Sequence, residues 1–134
     1  MPLTAIVLAA GEGTRMKSHH PKIVHKLLDK PLVWWSVNAA ITAGADRVIV
    51  VVGNHADEVK SALSCFPNLE YVAQTERLGT GHAVKVVKDA LGGFKGPVVV
   101  INGDAALLRA QSICDLVAEN KAHHNACKIG RAHV

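Results

Sequence analysis

Compact apolar runs alternate along this chain with stretches whose apolar positions recur every three to four residues. Thr4–Ala9, Arg47–Val52, Leu69–Ala73 and Pro97–Ile101 are short and rich in β-branched side chains, which predicts four strands. Between them lie segments with helical spacing. Pro31 opens the first, since a fixed φ and a missing N–H suit a first helical turn. Val33, Val37, Ala40 and Ile41 fall on one stripe of that helix, and Gly44 stands where a C′ glycine ends one. Asn54 or His55 leads into a second helix around Asp57–Ser64, with Val59, Ala62 and Leu63 inward. Its Asp57 and Glu58 suit the positive end of the helix dipole. Thr80 can cap a third helix running to about Leu91, before Gly92, Gly93 and Gly96 break the chain. Gln111–His123 is the fourth.

The strands read as continuous apolar runs rather than as alternation. That predicts a mostly parallel sheet with helices on both faces, a three-layer αβα, Rossmann-like domain. Ligands of such sheets bind beyond the carboxyl ends of the strands. Chemistry is therefore expected after Ala9, after Ala73 and after Ile101.

The 134 residues suffice for one domain with a real core; 49% are hydrophobic and 19% charged, an ordinary globular balance. No apolar run approaches the roughly 20 residues of a membrane span, and Ala5–Ala10 lacks the basic flank of a signal peptide. A cytoplasmic location and no membrane partner are expected. Cys65, Cys114 and Cys127 are widely spaced without a CxxC, so free thiols are expected rather than a zinc site or a disulfide framework. The net charge of +4 comes from no basic tract, which argues against nucleic acid as a partner.

The loop after the first strand reads Leu8-Ala9-Ala10-Gly11-Glu12-Gly13-Thr14-Arg15-Met16. Glycines and small residues let backbone N–H groups close on an anion. Arg15 offers a planar fork for phosphate oxygens, and Lys22, after Pro21, a point charge. A dinucleotide fingerprint would need a glycine where Met16 stands, and the P-loop pattern does not fit either. The segment Gln74-Thr75-Glu76-Arg77-Leu78-Gly79-Thr80-Gly81-His82-Ala83 lies between strand and helix. Gln74 can donate and accept, which suits the edge of a uracil, and Gly79 permits backbone contact with a base. Thr80 also has an ordinary role as an N-cap. Asn102-Gly103-Asp104 ends an apolar strand, and a carboxylate there, beside a triphosphate, is a natural Mg²⁺ ligand.

LAAGEGTRM followed by PK resembles the LxxGxGTRM…PK signature of sugar-nucleotide pyrophosphorylases. QTERLGTGHA is similar to the QxxxLGTGHA stretch of the bacterial bifunctional N-acetylglucosamine-1-phosphate uridylyltransferases, whose other half is a left-handed β-helix acetyltransferase. The resemblance runs from Leu3 to about Cys127. It implies a glycosyltransferase-A-like nucleotidyltransferase domain, with UTP and N-acetylglucosamine 1-phosphate as substrates and Mg²⁺ as cofactor. It also implies a homotrimer for the full-length parent and a place in cell-wall and lipopolysaccharide precursor synthesis. By the same resemblance the backbone around Leu8, Ala9, Ala10, Gly11, Gly13 and Thr14, with Gln74 and Gly79, holds the nucleotide; Arg15 and Lys22 hold phosphates, Thr80 lies near the nucleotide, and Asp104 holds the metal. The family usually shows GDxPL; Ala106 stands here in place of the proline, a change that loosens the loop but leaves Asp104 intact.

The expected reaction is in-line attack of the sugar phosphate on the α-phosphorus of UTP, with pyrophosphate leaving and no covalent enzyme intermediate. A transferase for CTP, GTP or dTTP, or for another sugar phosphate, is the nearest alternative. An oxidoreductase with a Rossmann domain and a nucleotide-binding module without turnover are the others. His19-His20 and His123-His124 lack metal-ligand spacing, and His82 reads as structural. One of Trp34 and Trp35 is expected in the core and the other at an interface.

Lys128–Val134 reads KIGRAHV, the translation of a common sequencing adapter in one frame. The domain is therefore expected to occupy 1–127, cut short at its C-terminal side, with 128–134 a non-native tail. Without Lys128 and Arg131 the net charge falls from +4 to +2.

Overall fold

The computed structural model describes residues 3–10, 26–74, 80–93, 96–103 and 108–123. Their elements, in chain order, are β1 (Thr4–Ala9), β2 (Lys26–Leu27), β3 (Lys30–Pro31), α1 (Leu32–Thr42), β4 (Arg47–Val52), α2 (Ala56–Ala62), β5 (Leu69–Ala73), α3 (Thr80–Leu91), β6 (Val98–Asn102) and α4 (Ala110–His123).

Four strands form one sheet in the order β5-β4-β1-β6, all parallel. Val7 faces Val50 on one side and Ile101 on the other, so β1 and β4 are interior strands. Their side chains are apolar on both faces because both faces are covered. Ala5, Val7, Val48, Val50 and Val52 join Val33, Val37, Val59, Leu63 and Ile113 in one core cluster, beneath α1, α2 and α4. Ile6, Ile49 and Val51 join Ala83 and Val87 of α3 in a second cluster on the opposite face.

The topology explains this uneven coverage. The connections β1→β4 and β4→β5 step in one direction and lay α1 and α2 on one face. The connection β5→β6 reverses across the sheet, and with a constant crossover hand it must pass on the other face, where α3 lies. Helices thus lie on both faces, as the continuous apolar runs imply, but α3 alone covers one of them among the described elements. The outer strands depart from the expected pattern. β6 alternates, with Val99 and Ile101 buried and Val98 and Val100 more than 40% exposed on the α3 side. β5 has no fully buried residue: Leu69, Tyr71 and Val72 are half-buried, and Glu70 and Ala73 are exposed. Both are edges of the described sheet, where one or both faces lack a full cover.

Local chemistry sets the ends. Gly44 has φ +95 and is the C′ residue of a Schellman motif: its N–H donates to the Ile41 carbonyl, and the Ala45 N–H to the Ala40 carbonyl. The inward stripe of α1 differs from the expected one in a single step. Ser36 is fully buried, and Ile41 is 41% exposed. Residues 33, 36, 37 and 40 share the inner face, a narrower spacing than one extended to 41. Before α1, Leu28 (φ 52) and Asp29 (φ 68) form the two-residue turn of a small β2–β3 hairpin. Two positive φ angles in a two-residue loop are the geometry of a type I′ turn. Alternating hydrophobicity, the signal for a hairpin, is absent from Lys26–Pro31, so its strands do not show in the sequence.

Trp34 and Trp35 are both half-buried on α1, in an edge-to-face pair, and Trp34 also packs against Phe66. Cys65 and Cys114 are free thiols, and Cys127 lies outside the described residues, as does 128–134. Among the described residues no helix is long and apolar enough to cross a membrane.

Two outcomes test this packing. Ile49 is fully buried between β1 and α3, so Ile49→Ala is expected to lower unfolding free energy by about 2–5 kcal/mol in a urea titration. Arg47 of β4 ion-pairs with Glu70 of β5 and also donates to the Ala90 carbonyl near the end of α3. The hydrogen bond from Arg47 holds the Glu70 carboxyl below its ordinary range. Its stabilisation is therefore present above the unfolded-state value and is lost as pH falls through the lowered native one. Both side chains are largely exposed, at 32% and 45%, so the effect is under about 1 kcal/mol. Glu70→Gln is expected to flatten the acid limb of the stability–pH curve by that amount and to remove part of its salt dependence.

Candidate nucleotide site

The strand order reverses beside β1: β4 leaves it on one side and β6 on the other. In a doubly wound sheet ligands bind in a crevice beyond the carboxyl ends of the strands at such a reversal. Here those ends are Ala9-Ala10, which precede Gly11 in the sequence, and Asn102-Gly103, which precede Asp104. Two of the three segments singled out in the sequence therefore follow the two strands at the reversal. The third, after Ala73, leaves β5, two strands away from β1, about 10 Å across the sheet.

Backbone hydrogen bonds hold these ends in register. The Gly103 N–H donates to the Leu8 carbonyl at 2.9 Å, and the Gln74 N–H donates to the Val52 carbonyl at 2.8 Å. The buried Ser36 hydroxyl of α1 donates to the Asn102 carbonyl at 2.9 Å, so a helix beneath the sheet also fixes the last residue of β6. Gly53, directly after β4, lies against Ala10. A Cβ there would stand 3.0 Å from the Ala10 carbonyl oxygen and 3.4 Å from its Cα. A glycine is thus required for β4 to close on the start of the β1 loop.

Gln74 is 6% exposed, one of the few buried polar side chains. Its Nε2 lies 2.9 Å from Nδ1 of His82 in the first turn of α3. Helix α3 is described from Thr80 onward.

Of the residues expected to bind, Leu8, Ala9, Ala10 and Gln74 thus lie along one edge of the sheet, and the backbone of Thr80 opens α3 above β5 and β4. Gly11, Gly13, Thr14, Arg15, Lys22, Gly79 and Asp104 lie outside the described residues. Gly53, Ser36 and His82 were not singled out as part of the site. Gly53 was within reach of the rule used elsewhere, since it follows an apolar strand directly. Ser36 carried no such signal, because a serine in a helical stripe looks like a surface position. Among the described residues no group of three or more His, Cys, Asp or Glu side chains could hold a metal ion.

Gly53→Ala is expected to push the Ala10 carbonyl outward by a few tenths of an ångström. The variant should lose about 1–3 kcal/mol of stability, read by urea unfolding, and bind triphosphate more weakly, read by calorimetry.

Comparison with known proteins gives the geometry a context. The bifunctional protein GlmU of Cyanothece sp. is 44% identical over 128 residues, which cover 96% of this chain and 28% of that protein. The chain spans about a quarter of the length of the curated relatives it matches. A nucleotidyl transferase from Methanothermobacter shares the fold at TM-score 0.77 and 25% identity, over 87% of this chain and 57% of that one. UDP-glucose pyrophosphorylase complexed with UDP-glucose aligns at TM-score 0.73 and 23% identity, over 92% of this chain and 55% of its own. Rv0371c of Mycobacterium tuberculosis, in complex with manganese, aligns at 0.74 and 21%, over 91% and 61%; these last two show likeness of fold. The family model described as the MobA-like NTP transferase domain matches residues 5–132, and the chain belongs to that family.

Proposed function

We propose that this chain forms the nucleotide-binding part of a uridylyltransferase that condenses UTP with N-acetylglucosamine 1-phosphate to UDP-N-acetylglucosamine and pyrophosphate. The observation that carries the reading is the reversal of strand order between β1 and β6, with the glycine-containing loop leaving one strand and Asn102-Gly103-Asp104 leaving the other. Similarity to the GlmU relatives supports the choice of substrates.

In this reading the backbone of Leu8, Ala9, Ala10, Gly11, Gly13 and Thr14 cradles the nucleotide, while Gln74 and Gly79 meet the uracil and Thr80 lies beside it. A uracil above β5 and a triphosphate running toward the β1–β6 crevice span the three strand spacings between the outer strands, about 14 Å. Arg15 offsets charge on the leaving phosphates with its fork of donors, and Lys22 holds phosphate oxygens near the reacting centre. An oxygen of the sugar phosphate attacks the α-phosphorus in line, the bond to the bridging oxygen breaks, and pyrophosphate departs. Positioning and charge neutralisation supply the acceleration.

Asp104 would hold Mg²⁺. The donor chemistry supports this: Asp104 follows Gly103 in the sequence, and the Gly103 N–H donates to the Leu8 carbonyl near the end of β1. A single hard oxygen donor suits an ion that takes most of its other ligands from phosphates and water. When bound, the ion would neutralise charge on the α-phosphate.

The test is pyrophosphate release with N-acetylglucosamine 1-phosphate and each of UTP, CTP, GTP and dTTP, alongside calorimetric binding of the same nucleotides. UTP is expected to be preferred in both. In the full-length parent Arg15→Ala is expected to lower turnover about a hundredfold or more, roughly 3 kcal/mol. Equal binding of all four triphosphates, or unchanged turnover in Arg15→Ala, refutes the corresponding assignment. A second reading, nucleotide binding without turnover, is favoured by the 28% share of the GlmU relative that the chain spans. UTP binding without pyrophosphate release would select it.

A further inference from the structure

The buried carboxamide of Gln74 has a neighbour whose chemistry decides what that amide can read. Gln74 is anchored at both levels: its N–H donates to Val52, and its side chain is 6% exposed. The contact from its Nε2 to Nδ1 of His82 is 2.9 Å. His82 is itself held in place, because the next residue, Ala83, is buried in the cluster with Ile6, Ile49, Val51 and Val87. The pair therefore ties the carboxyl end of β5 to the first turn of α3 across the intervening loop.

An amide nitrogen can only donate. With the carboxamide nitrogen on the ring side, Nδ1 is the acceptor and the ring proton belongs on Nε2. An Nδ1 that accepts in turn favours the carboxamide with its nitrogen toward the ring and Oε1 on the side away from it. A carboxamide oxygen has two lone pairs, so it can accept from a base alongside any donor of the surrounding chain. Uracil presents a donor at N3–H, whereas cytosine presents a bare N3 lone pair. An oxygen fixed in place pairs with the first and repels the second. A buried polar group left facing a repulsive partner discriminates strongly.

We propose that His82 is a specificity-determining positioning residue: by accepting from Gln74 Nε2 it fixes the carboxamide so that Oε1 reads the N3–H of a uracil and turns cytosine away. This rests on the assignment of Gln74 to the base. His82 touches no substrate in the proposal. It acts through Gln74.

Two measurements test it. The first is titration of the wild-type chain and of His82→Leu and His82→Asn with UTP and with CTP in the presence of Mg²⁺. The ratio of the two dissociation constants is expected to fall about tenfold or more in His82→Leu, a change of about 1.4 kcal/mol in discrimination. It is expected to be largely restored in His82→Asn, which keeps an acceptor near the Nδ1 position. If both nucleotides weaken equally in His82→Leu, the residue is only structural and the proposal is overturned. The second is long-range ¹H–¹⁵N NMR of the wild-type imidazoles, which needs no variant to fold. The Nε2–H tautomer is expected for His82, and the Nδ1–H tautomer overturns the proposal. A wild-type chain that binds UTP and CTP alike overturns the reading of Gln74, and the proposal with it. A wild-type preference for UTP that survives His82→Leu removes only the role of His82.

Discussion

The structure depends on β1 being paired on both sides, with β4 and with β6, in parallel register. A strand so placed has no free edge and no exposed face, which is why Ala5, Ile6 and Val7 are all fully buried. Its hydrophobic burial contributes to stability on both faces at once. The same pairing sets the carboxyl ends of β1 and β6 side by side where the strand order reverses. Stability and ligand access therefore arise from one arrangement. The hydrogen bond from Gly103 to Leu8 is its outermost rung.

The framework beneath this edge was legible in the sequence because its signals are local. Thr4–Ala9 and Arg47–Val52 are strands over the residues that their apolar runs mark. Leu69–Ala73 is found as read, the fourth strand lies one residue further on at both ends, and the last helix starts one residue earlier. Gly44 stops α1 in the conformation that only a residue tolerant of positive φ adopts easily. Where the reading departed from the structure, a non-local contact decided. Ser36 turns inward because a main-chain carbonyl 66 residues away needs a donor, and Ile41 turns outward as the stripe ends. The exposed valines of β6 reflect its position at the edge, a fact of strand order that no single window of sequence contains.

The candidate site divides in the same way. Its candidate segments stand out because glycines, an arginine and a carboxylate after apolar strands carry chemical meaning on their own. The contacts around them do not. Gly53 matters only because Ala10 lies against it. His82 matters only because a turn of helix brings it to Gln74. The residues expected to touch a ligand are conspicuous by type; the residues packed against them are ordinary ones whose importance lies in where the fold sets them.

Ser36 shows what one such contact does to the rest. The core beneath the sheet is built largely of valine and alanine, small side chains that interlock weakly and would let a helix slide along the strands at little cost. A hydroxyl sealed among them finds its acceptor at a single axial position of α1. Shifted by one turn, the helix would leave that buried hydroxyl without its acceptor. One oxygen thus gives an otherwise greasy and forgiving interface a unique alignment. Because its acceptor is the last residue of β6, that alignment is read out at the carboxyl end of the strand.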